Sequence, residues 1–193
     1  MQDALVFGGM CISLLNHADR VKVACLAQLV NAIAPIMTQT GGPAWRQTIF
    51  WPFAHFSNFG RGRVLRAEIE SPTYAAKYYD PRGTLEQYFD LPATPYLKLA
   101  AVYDEERSIL TMFALNRSLT DEIALDVTLR EFSETSLDSA LQLRDADLNA
   151  TNTLAQPDRV APAVLKAIKT ADGSLTAKLS PASWNVIRLK VLR

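Results

Sequence analysis

The chain has 193 residues, room for one domain or for a small domain joined to part of another. Its twenty basic and twenty acidic residues cancel, which excludes the bulk basic field that would attract nucleic acid or an anionic membrane. A hydrophobic fraction of 49% and an aromatic fraction of 9% exclude a disordered chain and suit a packed interior.

The first ten residues, MQDALVFGGM, carry no basic segment, and Asp3 precedes the apolar residues, a pattern unlike a signal peptide. Residues 3–16 read as a helix, with Leu5, Val6, Met10, Leu14 and Ile12 on one broad face expected to point inward. Gly8 and Gly9 would each cost about 1 kcal/mol against alanine, tolerable where the backbone packs closely on a neighbour. His17 to Arg20 form a polar exit, with His17 expected as a cap.

The run from Arg20 to Thr38, RVKVACLAQLVNAIAPIMT, is almost unbroken in its apolar character. Val21 to Gln28 reads as a short strand buried on both faces, as in a parallel barrel with helices outside and packed side chains inside. Gln28 interrupts the run where such a strand ends, and barrel enzymes place their chemistry at the carboxyl ends of their strands. Residues 21–37 approach the length of a membrane span, but Lys22, Gln28, Asn31 and Pro35 argue against a bilayer. Cys11 and Cys25 both sit in apolar surroundings and are expected to be buried free thiols in a reducing compartment, which makes the cytoplasm the expected location.

Gln39 to Pro43 is a turn by composition. Residues 44–59 read as an aromatic helix in which Pro52 marks a kink or restart, ended by Gly60 to Gly62. From Arg63 the pattern turns to short strands. Val64, Leu65, Ala67 and Ile69 alternate loosely, and Ser71 to Pro95, rich in proline and tyrosine, reads as an ordered loop. Residues 96–103 and 109–115 form a hairpin around the acidic tip at Asp104 to Glu106. Strands follow at 123–129 and 140–144, a second hairpin turns at Ala171 to Gly173, and residues 184–192 close the chain. About seven short strands at this spacing indicate an antiparallel sandwich. The fold expected is thus an α/β remnant, the last helix–strand–helix of a (β/α)8 barrel, followed by an all-β antiparallel sandwich.

In this order HADRVKVACLAQLVNAIAPIMT, GGPAWRQTIFWPF, SPTY, AAVYDEE, LNRS and SWNVIRL resemble the C-terminal part of the α-L-arabinofuranosidases of glycoside hydrolase family 51. The resemblance implies a jelly-roll-like sandwich at 62–193 behind the barrel piece at 1–61. It implies enzymes that remove terminal arabinofuranosyl groups from arabinan and arabinoxylan oligosaccharides with retention, and that form homo-oligomers. Retention needs two carboxyl groups about 5 to 5.5 Å apart. In the family these two glutamates lie upstream; here no glutamate precedes Glu68, so no catalytic residue is assigned and inactivity alone is expected.

The resemblance implies substrate contact by Gln28, at the floor of the arabinose subsite, where an amide that donates and accepts suits hydroxyls. Asn31 and Trp45 are weaker candidates, Trp45 as a stacking surface beside the Gly-Gly-Pro turn. Trp51 and His55 are expected to be structural. Two histidines 38 positions apart have no supporting Cys or Asp spacing, so no metal and no cofactor are expected. Arg144, Asp145 and Asp147 read as surface. Two other functions compete: a non-catalytic carbohydrate-binding sandwich using Tyr74, Tyr78, Tyr79 and Tyr88 as a platform, or an assembly module whose exposed barrel piece leaves an apolar patch.

Overall fold

The computed structural model describes residues 1–80, 87–171 and 173–192. Helix α1 (Gln2–Asn16) forms where the sequence places a helix, and Ile12 is inward and Leu5 packs on the core as expected, but the buried face is rotated away from Val6 and Met10. Ala4, Gly8, Cys11, Ile12 and Leu15 are buried, whereas Val6 and Met10 are 56% and 58% exposed. The glycines decide this. A Cβ on Gly8 would lie 2.6 Å from the ring of Trp184, so only a bare backbone lets the helix settle this close to the sheet.

The enclosed strand expected at Val21 to Gln28 is not formed: this stretch is irregular. Val23, Leu29 and Ile33 are 79%, 75% and 69% exposed, and a single parallel bridge, Val30 to Ile36, is the only ladder contact of residues 21–35 among those described. A parallel strand needs partners on both edges and cover on both faces. Beyond that one bridge, no described strand pairs with this segment. Cys25, expected to be buried, is exposed for the same reason, while Cys11 is buried against the sheet.

Strands β1 (Ile36–Thr38) and β2 (Ala44–Arg46) form a small antiparallel ribbon across the expected Gln39 to Pro43 turn. Helix α2 (Phe50–Phe59) therefore starts later than residue 44. Pro52 falls in its first turn, where the missing N–H breaks no helical bond, so the proline marks a start and not a kink. Gly60 ends the helix.

The remaining strands are β3 (Arg63–Leu65), β4 (Thr73–Asp80), β5 (Gln87–Pro95), β6 (Leu97–Asp104), β7 (Ile109–Asn116), β8 (Ile123–Thr128) and β9 (Thr135–Leu143). After them come β10 (Ala163–Val164), β11 (Ile168–Ala171), β12 (Ser174–Leu179) and β13 (Ser183–Val191). A six-stranded sheet in the order β10-β9-β13-β7-β6-β3 faces a three-stranded sheet, β11-β12-β8, and all pairings are antiparallel. Leu110, Met112 and Ala114 of β7 meet Leu125, Leu175 and Leu179 in the core between the sheets. Phe113 and Leu115, on the other face of β7, join Ala4, Ile12 and Leu15 of α1 in a second core. Covered on both sides, β7 is buried along its whole length. The antiparallel sandwich is as expected, and α1 and α2 form a third layer upon it.

Ser71 to Pro95, expected as a loop, holds the β4–β5 hairpin instead. The ribbon tolerates its prolines because Pro92 falls at the register shift between Tyr74 and Ala76, where the ladder is interrupted, and Pro95 stands at the end of β5. Pro81 and Gly83 of that expected loop lie outside the described residues, as does Asp172 of the second hairpin turn.

Candidate functional site

Of the three residues expected to contact substrate, the structure brings two together. Asn31, in left-handed backbone at φ 62°, donates from Nδ2 to the Thr38 hydroxyl (2.8 Å) and accepts the Thr38 N–H at Oδ1 (2.7 Å). Thr38 pairs with Ala44 and Met37 with Trp45, so Asn31 closes its loop onto the ribbon that carries Trp45. Both amide ends of Asn31 serve this clamp, a role in loop structure. Trp45 is half-buried, and its indole Nε1 is shielded from solvent with no acceptor among the described residues. An unmade buried hydrogen bond costs about 1–3 kcal/mol, which makes Trp45 the polar orphan of this region. Gln28 stands apart, exposed and at φ 58°. Left-handed backbone at Gln28, Asn31 and Ala32 within five residues is strain for side chains bearing a Cβ.

These residues border neither of the two grooves beside α1. The grooves, of about 460 and 490 Å³, are bordered by other residues, among them Asn16 and Arg66 in one and Tyr74 and Lys98 in the other. Burial and the nearby Arg117 hold the Lys98 ammonium below its usual range.

The residues expected to be structural are so. Trp184 Nε1 donates to His55 Nδ1 (3.1 Å) in the buried layer between α2 and the sheet, which leaves the ring's proton on Nε2. Burial lowers the His55 pKa to about 4, so the ring is neutral. His55 stacks on Phe59 with centroids 5.9 Å apart, and Trp184 on Phe113 at 5.8 Å. Trp51 points inward and donates to the Val160 carbonyl (3.1 Å). His17 caps α1 through the Ser13 carbonyl (2.8 Å). At the acidic hairpin tip, the Arg107 amide and guanidinium hold the Asp104 carboxyl below its ordinary range. Arg159 pairs with Asp147 at 2.9 Å and Asp145 at 3.5 Å, a surface arrangement. Among the described residues no group of three or more His, Cys, Asp or Glu converges.

The tyrosine platform does not assemble on one face. Tyr74 stacks on Tyr96 at the hairpin base, 4.8 Å between centroids. Tyr78 opposes Phe89 and shares a face with Leu91, whereas Tyr88, one position from Phe89, falls on the opposite face. The side chain of Tyr79 lies outside the described residues.

A residue missed in the sequence is Asn152, buried midway along the loop between β9 and β10 and bonded to the carbonyl of Arg46. An asparagine among polar loop residues gives no periodic signal, and its value appears only when the chain brings residue 46 beside it.

The class of fold is an antiparallel sandwich with a helical layer on one face and a short two-stranded ribbon that carries Trp45. Residues 1–183 match the family model for the α-L-arabinofuranosidase C-terminal domain, and the chain belongs to that family. It is 50% identical over 189 residues to an intracellular exo-α-(1→5)-L-arabinofuranosidase of Streptomyces lividans, covering 97% of this chain and 26% of that protein. It is 43% identical to an intracellular exo-α-(1→5)-L-arabinofuranosidase of Bacillus subtilis, covering 98% of this chain and 35% of that protein. A solved family 51 α-L-arabinofuranosidase from Bifidobacterium longum superposes with a TM-score of 0.82 at 34% identity, over 97% of this chain and 34% of the other. The chain therefore spans between a quarter and just over a third of these relatives' length. No helix among the described residues is long and apolar enough to cross a membrane.

Proposed function

We propose that the chain acts as the C-terminal portion of a retaining, exo-acting α-L-arabinofuranosidase working in the cytoplasm on arabinose-containing oligosaccharides. In this reading residues 1–61 complete a (β/α)8 barrel and residues 62–193 form its jelly-roll-like companion. The observation that carries it is the exposed apolar segment at Val21 to Ile33: a sequence written for a buried strand whose only ladder contact among the described residues is the Val30–Ile36 bridge. Pairing within a barrel would bring Gln28 to the strand's carboxyl end, near Asn31 and Trp45. In this reading the two carboxyl groups that retention needs are supplied by residues other than those of the ribbon. The first glutamate here, Glu68, is exposed and paired with Arg130 at 2.9 Å, well outside the ribbon.

The purified chain alone is expected to release no 4-nitrophenol from the arabinofuranoside. Mixing it with the part of the Streptomyces lividans relative outside the matched segment is expected to generate that activity; absence of activity in the mixture would reject the reading. The same exposed segment supports homo-oligomer formation, since soluble monomers rarely leave such patches in water.

A further inference from the structure

We propose that Asn152, on the sandwich, is a positioning residue for the sugar-contact ribbon: it fixes the backbone of Arg46 and, through it, the adjacent Trp45. The inference rests on the arabinofuranosidase reading for what the ribbon contacts, but not for the brace itself. Asn152 is 2% exposed and uses its whole amide. Nδ2 donates to the carbonyls of Arg46 and Val160, each at 3.0 Å, while Oδ1 accepts the Val160 N–H at 2.8 Å. The Val160 carbonyl also takes the Trp51 indole N–H, and the Arg46 guanidinium lies 5.0 Å over the Trp51 ring. Asn152 thus ties the sandwich loop to β2, and the Val160 carbonyl it shares with Trp51 links that loop to α2. The same loop accepts the Gln2 N–H at the Leu148 carbonyl (2.9 Å), anchoring the start of α1.

The ribbon needs such an anchor. Two paired strands of three residues each are too short to hold their geometry in water unaided. Two donations and one acceptance from a single planar group fit asparagine, and aspartate of the same shape supplies only the acceptance. The sandwich therefore does more than cover one side of the barrel piece: it sets the position of the aromatic ribbon at its mouth.

Asn152→Asp tests this by amide hydrogen exchange on the whole chain. Residues 36–46 are expected to exchange at least about tenfold faster while β7 and β13 keep their protection. Unchanged exchange at 36–46, or equal acceleration in β7 and β13, would overturn the brace. Trp51→Phe removes the other donor to Val160 and leaves the Arg46 bond, so it is expected to spare the ribbon; loosening equal to that of Asn152→Asp would also overturn it. Asn152→Ser adds no charge and gives the same readout should the aspartate variant fail to fold. In the mixture with the Streptomyces lividans segment, Asn152→Asp is expected to raise KM for the 4-nitrophenyl arabinofuranoside about tenfold with kcat within about threefold. A fall in kcat at constant KM would overturn the positioning role. No activity in the mixture containing the unmodified chain would reject the arabinofuranosidase reading, and hydrogen exchange then decides the brace alone.

Discussion

His55 and Trp184 meet across the layer between α2 and the sheet, and their hydrogen bond requires a neutral imidazole. Burial holds His55 at about 4 against an ordinary 6.5, so the unfolded chain takes up the proton first as the pH falls. The stabilisation is fully present above about pH 6.5 and is lost progressively toward pH 4, a total of about 3 kcal/mol for a shift of this size. Urea midpoints measured across this range are expected to fall with pH, and His55→Gln to flatten the profile; an unchanged slope in the variant would contradict the assignment. The two thiols differ as sharply. Burial pushes Cys11 up to about 12, whereas Cys25 is exposed, so a maleimide is expected to label Cys25 in the native chain and Cys11 only on unfolding. Labelling of both at equal rates, read by mass spectrometry, would count against this placement.

Also at the residue scale, the motifs that betray the family are largely structural. Asn116 of LNRS is fully buried and donates to the carbonyls of Asp121, Leu179 and Ser180. Asn185 of SWNVIRL is buried too, bonding to the Ala114 carbonyl and accepting from Gln142. Such motifs are legible because a buried amide with several fixed partners admits few replacements. The ribbon residues are less legible, because what Asn31 and Trp45 do depends on a loop closure that no local pattern encodes.

Among the elements, α1 shows how far periodicity reaches. The apolar spacing predicts the helix, but its inner face is the one with small residues. Closeness of approach, not side-chain size, decides which face the sheet covers, and Gly8 under Trp184 carries that information. Gly8→Val is therefore expected to destabilise the chain by about 1–3 kcal/mol through overpacking, while Met10→Ser on the exposed face stays within about 0.5 kcal/mol. Thermal denaturation of the two variants checks the order, and a reversed order would contradict the packing. The hairpin strands β6, β7, β8, β12 and β13 were legible because alternation and turn chemistry are local properties. The β4–β5 ribbon was not, since its prolines argue against a strand until Pro92 is seen at a register shift and Pro95 at the strand's end. The strand expected at Val21 to Gln28 failed for the opposite reason: its pattern is clear, but a parallel strand exists only through its neighbours.

For the molecule as a whole, the sandwich is complete enough to bury two cores, whereas most of residues 21–33 remain exposed to water. Covering apolar surface stabilises by about 25 cal/mol per Å², which favours association through this segment. Light scattering of the isolated chain is expected to show concentration-dependent oligomers that the double variant Leu29→Lys, Ile33→Lys reduces; a monodisperse monomer with both residues intact would contradict this. The most direct measurement is amide exchange at Val21 to Gln28 with and without the unmatched segment of the Streptomyces lividans relative. Fast exchange alone, and strong protection in the mixture together with release of 4-nitrophenol, is the expected result. Exchange that stays fast in the mixture would mean that these residues are not a barrel strand awaiting its neighbours.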